Sequence, residues 1–251
     1  MEPNHLCEYL EWDSSFFGRQ IARLTVSRLD AENIKEVMNW SKSQAIECIY
    51  LLADADDATT TRLAESHAFQ FVDIRVTLER ALDDIPATAG KALSTGIRLS
   101  NSGDVPVLRS IAKVSHRDSR FYYDFHFPPS ACDALYETWI EKSCHGYATA
   151  VLVAELESRP AGYVSCHLLQ ENRGQIGLFG IAPEARGQGL GKKLLEGSLQ
   201  WFAENGVKNV MVVTQGRNRT AQRLYQRGGF LTRSVQLWYH RWFLSDENKL
   251  E

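Results

Sequence analysis

Residues 181–191 read Ile-Ala-Pro-Glu-Ala-Arg-Gly-Gln-Gly-Leu-Gly, a glycine-rich stretch between a strand-like and a helix-like segment. Glycines let the backbone approach a ligand closely and turn successive N–H groups toward it. The unpaired amides and the dipole of the following helix favour an anion at this point. Arg186 adds a donor of charge-assisted hydrogen bonds. The stretch therefore predicts a phosphate-binding loop.

The spacing of these residues excludes two familiar phosphate loops. A P-loop requires Lys and then Ser or Thr after its last glycine, but Gly191 is followed by Lys192 and Lys193. A dinucleotide fingerprint has two residues between its second and third glycines, whereas Gly189 and Gly191 are separated by one. On this stretch alone, a glycine-rich connection that binds no ligand stays open.

The segments around the loop alternate between strand and helix periods. The helix after the loop carries apolar residues on one stripe and has Gly206 beyond its end. Two helices are predicted after the strand at 97–99, and another begins at Asn218. The strand patterns lie at 97–99, 148–156, 163–169, 176–182, 210–213 and 230–242. The order βααβββαβαβ predicts an α/β fold with a mixed central sheet flanked by helices.

The composition is that of an ordinary globular protein. Of the 251 residues, 44% are hydrophobic and 24% are charged, which excludes disorder, collagen and coiled coil for the whole chain. A formal net charge of −3 leaves no excess of positive charge for nucleic acid. No apolar run approaches the roughly 18 residues of a membrane helix, and the N-terminus lacks a signal-peptide pattern. We expect a cytoplasmic protein without membrane or nucleic-acid partners.

Cysteine usage points to a reducing compartment. The five cysteines are odd in number and widely spaced, and they form neither a Cys-x-x-Cys motif nor a Cys/His ligand pattern. We therefore expect buried thiols, with no disulfide framework and no metal site.

A linker is predicted over 81–96, where small, polar and turn-forming residues follow one another without a period. It is expected to separate a smaller N-terminal α/β domain (1–80) from a larger domain (97–243), and we expect 244–251 to form a flexible tail. Three residues of the N-terminal domain recur in the larger domain at a single offset of 161 residues. This offset matches Arg62, Leu63 and Phe69 with Arg223, Leu224 and Phe230. The N-terminal domain is thus interpreted as a partial, degenerate copy of the C-terminal half, with chance identity as the alternative.

A second signature lies downstream of the loop. The loop has an R-x-x-G-x-G pattern from Arg186 to Gly191, and one helix and one strand later the chain reads N-x-x-A-x-x-L-Y-x-x-x-G-F from Asn218 to Phe230. The two motifs and their separation resemble the GCN5-related N-acetyltransferase (GNAT) superfamily over about 97–242. The resemblance implies the GNAT fold, acetyl-CoA as co-substrate and no metal. It also makes the N-terminal domain a possible half-GNAT repeat.

In this family acetyl-CoA lies between two parallel strands that part, here expected at 176–182 and 210–214. The resemblance implies that Gly180 forms the bulge that separates them. It also implies that backbone groups of Phe179 and Ile181 pair with the pantetheine arm, and that loop amides hold the pyrophosphate. The implied cofactor-binding residues are Phe179, Gly180, Ile181, Arg186, Gly187, Gln188, Gly189, Leu190, Gly191 and Asn218.

Tyr225 matches the family's usual general acid, which protonates the CoA thiolate after an amine attacks the thioester directly. A thiol pKa of about 8.5 and a phenol pKa of about 10 are close enough for this transfer. Asn218 is expected to bind the cofactor or an adjacent water, or to be a plain helix cap. The attacking amine must be neutral, and the sequence leaves several bases open. They are His116, Asp118, Glu155, His167 and Glu171.

Two further segments resemble one subgroup, the bacterial dTDP-fucosamine acetyltransferases. They are residues 10–18, which read LEWDSSFFG, and residues 118–122, which read DSRFY. The resemblance implies a nucleotide amino sugar of the dTDP-4-amino-4,6-dideoxyhexose type as acceptor. Arg120 suits a phosphate, and Phe121 and Tyr122 suit stacking on a base or sugar. An aromatic loop that merely closes over the sheet is the alternative.

Two other functions stay open. One is a GNAT enzyme that acetylates a different amine, such as a protein N-terminus, an amino acid or an aminoglycoside. The other is a sensor that binds acyl-CoA without turnover, against which the presence of Tyr225 argues. The aromatic segment 237–243 suits the interface of a homodimer as well as a core.

Overall fold

The computed structural model describes residues 5–85 and 96–243, which hold seven α-helices and ten β-strands. The strands are β1 (Cys7–Tyr9), β2 (Ile21–Leu24), β3 (Cys48–Asp54), β4 (Gln70–Ala81), β5 (Ile97–Leu99), β6 (Ala150–Leu156), β7 (Arg159–Leu169), β8 (Arg173–Ile181), β9 (Asn209–Gln215) and β10 (Leu231–Trp242). The helices are α1 (Glu11–Phe17), α2 (Ala31–Ser43), α3 (Ala58–Ser66), α4 (Val105–Ser115), α5 (Pro129–Lys142), α6 (Leu190–Glu204) and α7 (Arg219–Arg227).

The chain forms two compact units that alternate along the sequence. Within the described residues, unit 1 holds 5–75, 123–127 and 235–243. Unit 2 holds 76–85, 96–122 and 128–234. Strands β4 and β10 each contribute residues to both units.

Unit 1 is a mixed sheet over an apolar core. Its strand order is β1-β2-β3-β10-β4, with β2 and β3 parallel and β3 and β10 antiparallel. The fully buried residues Ile34, Val37, Ile49 and Leu51 come from α2 and β3 and fill its centre. The aromatic segment of β10 lies between β3 and β4, so it is part of the sheet interior and not a free edge.

A buried carboxylate anchors the segment 123–127 in unit 1. Asp124 Oδ2 accepts hydrogen bonds from His240 Nδ1 (2.6 Å) and Trp242 Nε1 (2.8 Å). Its Oδ1 accepts one from His126 Nδ1 at 2.7 Å. Burial acts to raise the pKa of Asp124, but the hydrogen bonds and charge of His240 and the bonds from the other two donors outweigh it. The pKa therefore lies well below its ordinary value, and Asp124 is an ionised acceptor.

Unit 2 has the element order that the sequence predicts, from β5 through α4, α5, β6, β7, β8, α6, β9 and α7 to β10. Its strands follow the spatial order β10-β4-β9-β8-β7-β6-β5. The sheet is mixed, since β7 and β8 are antiparallel while β8 and β9 are parallel. The predicted apolar stripe of α6 is confirmed: Leu190, Leu194, Leu195, Leu199 and Phe202 are all buried.

The same offset of 161 residues relates the boundaries of several helices and strands. Shifting β3, α3 and β4 by 161 residues reproduces the bounds of β9, α7 and β10, and α2 and α6 end at equivalent positions. The left-handed Ala45 and Ala68 stand where Gly206 and Gly229 are left-handed. Helix α2 has Asp30 as its N-cap, whose carboxylate accepts from the amides of its own first turn. These matches support the prediction of a half-GNAT repeat, which stays a prediction, and α2 differs from α6 in having a side chain as its N-cap.

Several predictions fall partly outside the described residues. Residues 86–95 of the predicted linker and the predicted tail 244–251 lie there, so the division at 81–96 stays a prediction. All five cysteines are free, and four of them are buried. No helix within the described ranges is long and apolar enough to cross a membrane.

Candidate active site

Strands β8 and β9 part in the middle of unit 2. Their parallel pairing covers Arg173–Ile176 and Asn209–Val212. Beyond these pairs, β8 continues to Ile181 and β9 continues to Gln215. Within the residues that the structure describes, these continuations do not pair with each other as neighbouring strands. The parting leaves an opening bordered by 177–181 and 213–215.

The bulge in β8 lies at Gly177 and Leu178, so its predicted position at Gly180 was wrong. The register of β8 against β7 shifts between the pairs Cys166–Ile176 and Val164–Phe179, which places the extra residue in β8 there. The displaced amide of Leu178 donates to Ser165 Oγ at 2.7 Å. A buried hydroxyl on the neighbouring strand thus satisfies the bulge, and Gly180 pairs regularly with Tyr163.

Gly180 is required for a different reason. A Cβ atom at this position would lie 2.8 Å from the ring of Tyr163, which is fully buried. Tyr163 OH forms a hydrogen bond of 2.9 Å with His116 Nε2, and the His116 ring stacks on Tyr136. Burial lowers the pKa of His116 to about 4 and raises that of Tyr163. This pair is neutral at pH 7, and Tyr163 packs directly against Gly180.

Backbone groups of Phe179 and Ile181 on β8 face the opening. The amide of Ala182 donates to Ala161 O on β7 at 2.8 Å. Because backbone groups alternate between the two edges of a strand, Gly180 faces β7 and its two neighbours face the other edge. Their pairing with a pantetheine arm stays a prediction.

The glycine-rich loop leads directly into α6. Gly187 and Gly189 have φ values of 77° and 79°, a left-handed conformation that favours glycine. Gly189 is the N-cap of α6 and has no side chain to accept from the first-turn amides. The first turn carries no acidic residue, and Lys192 is exposed. The helix start therefore presents amides and the positive end of a dipole to an anion, while Lys192 Nζ lies 3.7 Å from Glu196 Oε1 on the same helix.

Side chains of the loop hold its shape. Arg186 Nε donates to the carbonyl of Ile181 at 3.2 Å, and its own amide donates to Pro183 O. Gln188 Nε2 donates to Glu184 O at 2.9 Å. A Cβ atom at Gly189 would meet nothing within 4 Å, so the space in front of the helix is open. The arrangement fits a pyrophosphate held mainly by amides of residues 187–191.

The fold brings Tyr225 to the part of β8 that borders the opening. Its ring makes an edge-to-face contact with Phe179 (centroids 6.2 Å apart) and a tilted one with Phe230. The residue is 4% exposed, and burial raises the pKa of Tyr225 well above its ordinary value. The hydroxyl is therefore a protonated donor at neutral pH. Its role as general acid stays a prediction.

Asn218 is the N-cap of α7. Its side-chain oxygen accepts from the amide of Ala221 at 3.0 Å. The helix-cap alternative for Asn218 is thus what the structure shows, and a contact with the cofactor stays a prediction.

The three predicted acceptor residues differ in exposure. Phe121 is 3% exposed and packs edge-to-face against Trp139, so its face is not presented to a ligand. Tyr122 OH donates to Asp133 Oδ1 at 2.8 Å. Arg120 lies with its guanidinium 4.3 Å from the centre of the Phe121 ring, a cation–π contact at partial exposure. Arg120 and Tyr122 stay predictions as acceptor contacts.

Sequence reasoning missed Tyr163 and Ser165, which support β8 from the neighbouring strand. Both belong to a stretch whose alternation predicts only a strand. A signal was available in the two strand glycines, Gly177 and Gly180, because a glycine inside a strand often marks the close approach of a large group. No cluster of three or more potential metal ligands occurs in the described part of the chain.

Comparisons with known proteins agree with this geometry. Residues 112–230 match the model of the Acetyltransferase (GNAT) family. A GCN5-related N-acetyltransferase from Sphaerobacter thermophilus has a similar structure, with a TM-score of 0.66 and 17% identity over 94% of this chain and 76% of that chain. The dTDP-fucosamine acetyltransferase of Escherichia coli O6:H1 is 26% identical over 93% of this chain and 97% of its own length.

Two other relatives match over part of their length. The spore coat polysaccharide biosynthesis protein SpsD of Bacillus subtilis is 26% identical over 56% of this chain and 48% of its own length. The mycothiol acetyltransferase of Mycobacterium avium is 25% identical over 72% of this chain and 59% of its own length. Together with the parted strands, the uncapped helix start and the two sequence motifs, these matches identify an acetyltransferase domain of the GNAT family at residues 112–230 and support N-acetyltransferase activity.

Proposed function

We propose that the protein transfers the acetyl group of acetyl-CoA to the amine of a nucleotide-linked amino sugar of the dTDP-4-amino-4,6-dideoxyhexose type. The observation that carries this proposal is the match to dTDP-fucosamine acetyltransferase, which extends over nearly the full length of both chains. A match limited to the cofactor motifs would not reach the N-terminal third of the chain, most of which a coverage of 93% includes. The similarity over the whole chain supports the choice of acceptor, whereas the glycine-rich loop supports acetyl-CoA as the acetyl donor.

Acetyl-CoA supplies an activated thioester when bound. The amides of residues 187–191 and the start of α6 hold its pyrophosphate, and the edge of β8 at Phe179 and Ile181 pairs with its pantetheine arm. Tyr225 protonates the sulfur as the carbon–sulfur bond breaks, while the acceptor nitrogen forms a bond to the carbonyl carbon and loses one proton. A phenol is protonated at neutral pH, so Tyr225 carries the proton before that step.

The variant Gly189→Glu tests the phosphate loop. A glutamate at this left-handed position strains the backbone and places a negative charge at the helix start. We expect the KM for acetyl-CoA to rise at least about tenfold, because like charge and bulk oppose a pyrophosphate there.

Gly206→Glu is the matched control. Gly206 is also left-handed, has nothing within 4 Å of its Cβ position and lies at the other end of the same helix. This variant should keep the affinity for acetyl-CoA while losing comparable stability. A folded Gly189→Glu protein that binds acetyl-CoA normally by calorimetry would overturn the loop assignment.

The acceptor is tested with a panel of amines. The purified protein is incubated with acetyl-CoA and dTDP-4-amino-4,6-dideoxygalactose, its glucose epimer, UDP analogues, amino acids and an N-terminal peptide, and acetylated products are identified by mass. We expect acetylation of a dTDP sugar, at a rate at least about tenfold above that of the other amines. Such a result places the enzyme in surface-polysaccharide synthesis. Preference for a peptide or amino acid contradicts the proposal.

A different amine is the second candidate, because mycothiol acetyltransferase from Mycobacterium avium also matches over 72% of this chain. Its name refers to mycothiol and not to a nucleotide amino sugar. Dependence of the rate on the dTDP group separates the two functions. CoA binding without turnover on every amine would favour the acyl-CoA sensor instead.

A further inference from the structure

The sequence leaves the base for the acceptor amine open, and the inference below rests on the proposed acetyl transfer. Gly177 is the first residue of β8 beyond its last pair with β9, so it lies where the opening begins. A Cβ atom on Gly177 would lie 2.7 Å from Nε2 of His167. The imidazole of His167, carried by β7, thus occupies the position that a side chain of residue 177 would take.

The surroundings of His167 keep its imidazole neutral. The residue is half-buried, and burial lowers its pKa, while a hydrogen bond to the backbone of Tyr147 acts in the opposite direction. The ring of Tyr147 lies edge-to-face at 5.7 Å, and Ser165 Oγ reaches the same Cβ position of Gly177 at 2.7 Å. Among these contacts of the His167 ring within the described residues, the phenol of Tyr147 is a titratable group, and none of the contacting groups carries a formal charge. A neutral imidazole carries one donor and one acceptor nitrogen.

The other four candidate bases are either bonded to another side chain or lie away from the opening. Nε2 of His116 is bonded to the buried Tyr163 hydroxyl. Glu155 is paired with Arg98 at 2.7 Å. Glu171 is 80% exposed in the turn before β8, at the end where the strands are still paired. Asp118 lies in the segment between α4 and Arg120, outside the strands that border the opening. Of these five, His167 is the candidate whose side chain lies against Gly177, where the opening begins.

We propose that His167 is the general base of the reaction and takes a proton from the acceptor nitrogen. As the carbon–nitrogen bond forms and the carbon–sulfur bond breaks, the nitrogen's proton passes to Nε2 of His167, directly or through one water. The sulfur receives its proton from Tyr225. His167 then returns its proton to solvent and Tyr225 regains one, so the two residues end as they began.

The test compares His167→Gln and His167→Ala with wild type on the amine that the panel identifies. We expect kcat to fall about 10²-fold with an unchanged KM for acetyl-CoA. Since the base must be deprotonated, wild-type kcat/KM falls as pH drops through the His167 pKa, which lies below its ordinary value. That acidic limb disappears in both variants. Added imidazole restores part of the activity of His167→Ala only, because only alanine leaves space for it.

His145→Gln is the control, since His145 is exposed and lies outside the opening. It should retain the wild-type rate and pH profile. A folded His167→Gln protein with at least a third of the wild-type rate and an intact acidic limb overturns the proposal, as does failure of imidazole to rescue His167→Ala. Wild-type inactivity on the whole panel would instead overturn the proposed function, so the two failures are distinguishable.

Discussion

Tyr225→Phe is expected to slow acetyl transfer by about 10²-fold or more while leaving the KM for acetyl-CoA nearly unchanged. The phenylalanine keeps the ring contacts with Phe179 and Phe230 that position the residue. It lacks the hydroxyl and therefore the proton that Tyr225 would donate. The loss therefore falls on the step in which the thiolate leaves. Steady-state kinetics with CoA release as the signal measure it.

Tyr239→Phe is a matched control in unit 1. Tyr239 is also buried, and its hydroxyl contacts Glu65 at 3.4 Å. The same atom is removed, but nothing in the proposed chemistry depends on it, so kcat should stay within a factor of two of wild type. A Tyr225→Phe enzyme as fast as this control would remove Tyr225 from the role of general acid.

Asp124→Asn is expected to lower the free energy of unfolding by about 3–5 kcal/mol at pH 7. The substitution removes the charge to which His240, Trp242 and His126 all donate, and it leaves these donors partly without an acceptor inside unit 1. Urea unfolding followed by tryptophan fluorescence measures the change. Asp56→Asn is the control, because that carboxylate is 78% exposed and its replacement should cost less than about 1 kcal/mol.

The pH dependence of stability distinguishes the charge of Asp124 from its shape. The folded-state pKa of Asp124 lies below its unfolded value of about 3.9. Its contribution is therefore fully present above that unfolded value and is lost as pH falls toward the folded pKa. The difference in stability between wild type and Asp124→Asn should therefore shrink progressively as pH falls below about 4. A constant difference down to pH 2 would show that packing, and not charge, stabilises the segment 123–127.

The sequence alone predicted the chemistry of the loop and the order of elements around it. These features depend on local rules: left-handed glycines at 187 and 189, an apolar stripe at the helical period on α6 and the alternation of the strands. The motif around Tyr225 placed that residue on a helix, and the fold brought it beside β8. Local sequence patterns predict these features because each feature depends on residues that are close together in the sequence.

The tertiary structure alone decided which side chains meet across strands. It moved the bulge from Gly180 to Gly177 and Leu178, buried Phe121 and placed His167 at the start of the opening. It also brought Asp124 into contact with His240 and Trp242, each more than a hundred residues away from it in the sequence. Burial and hydrogen bonding between distant segments depend on the register of neighbouring strands, and no local period of the sequence determines that register.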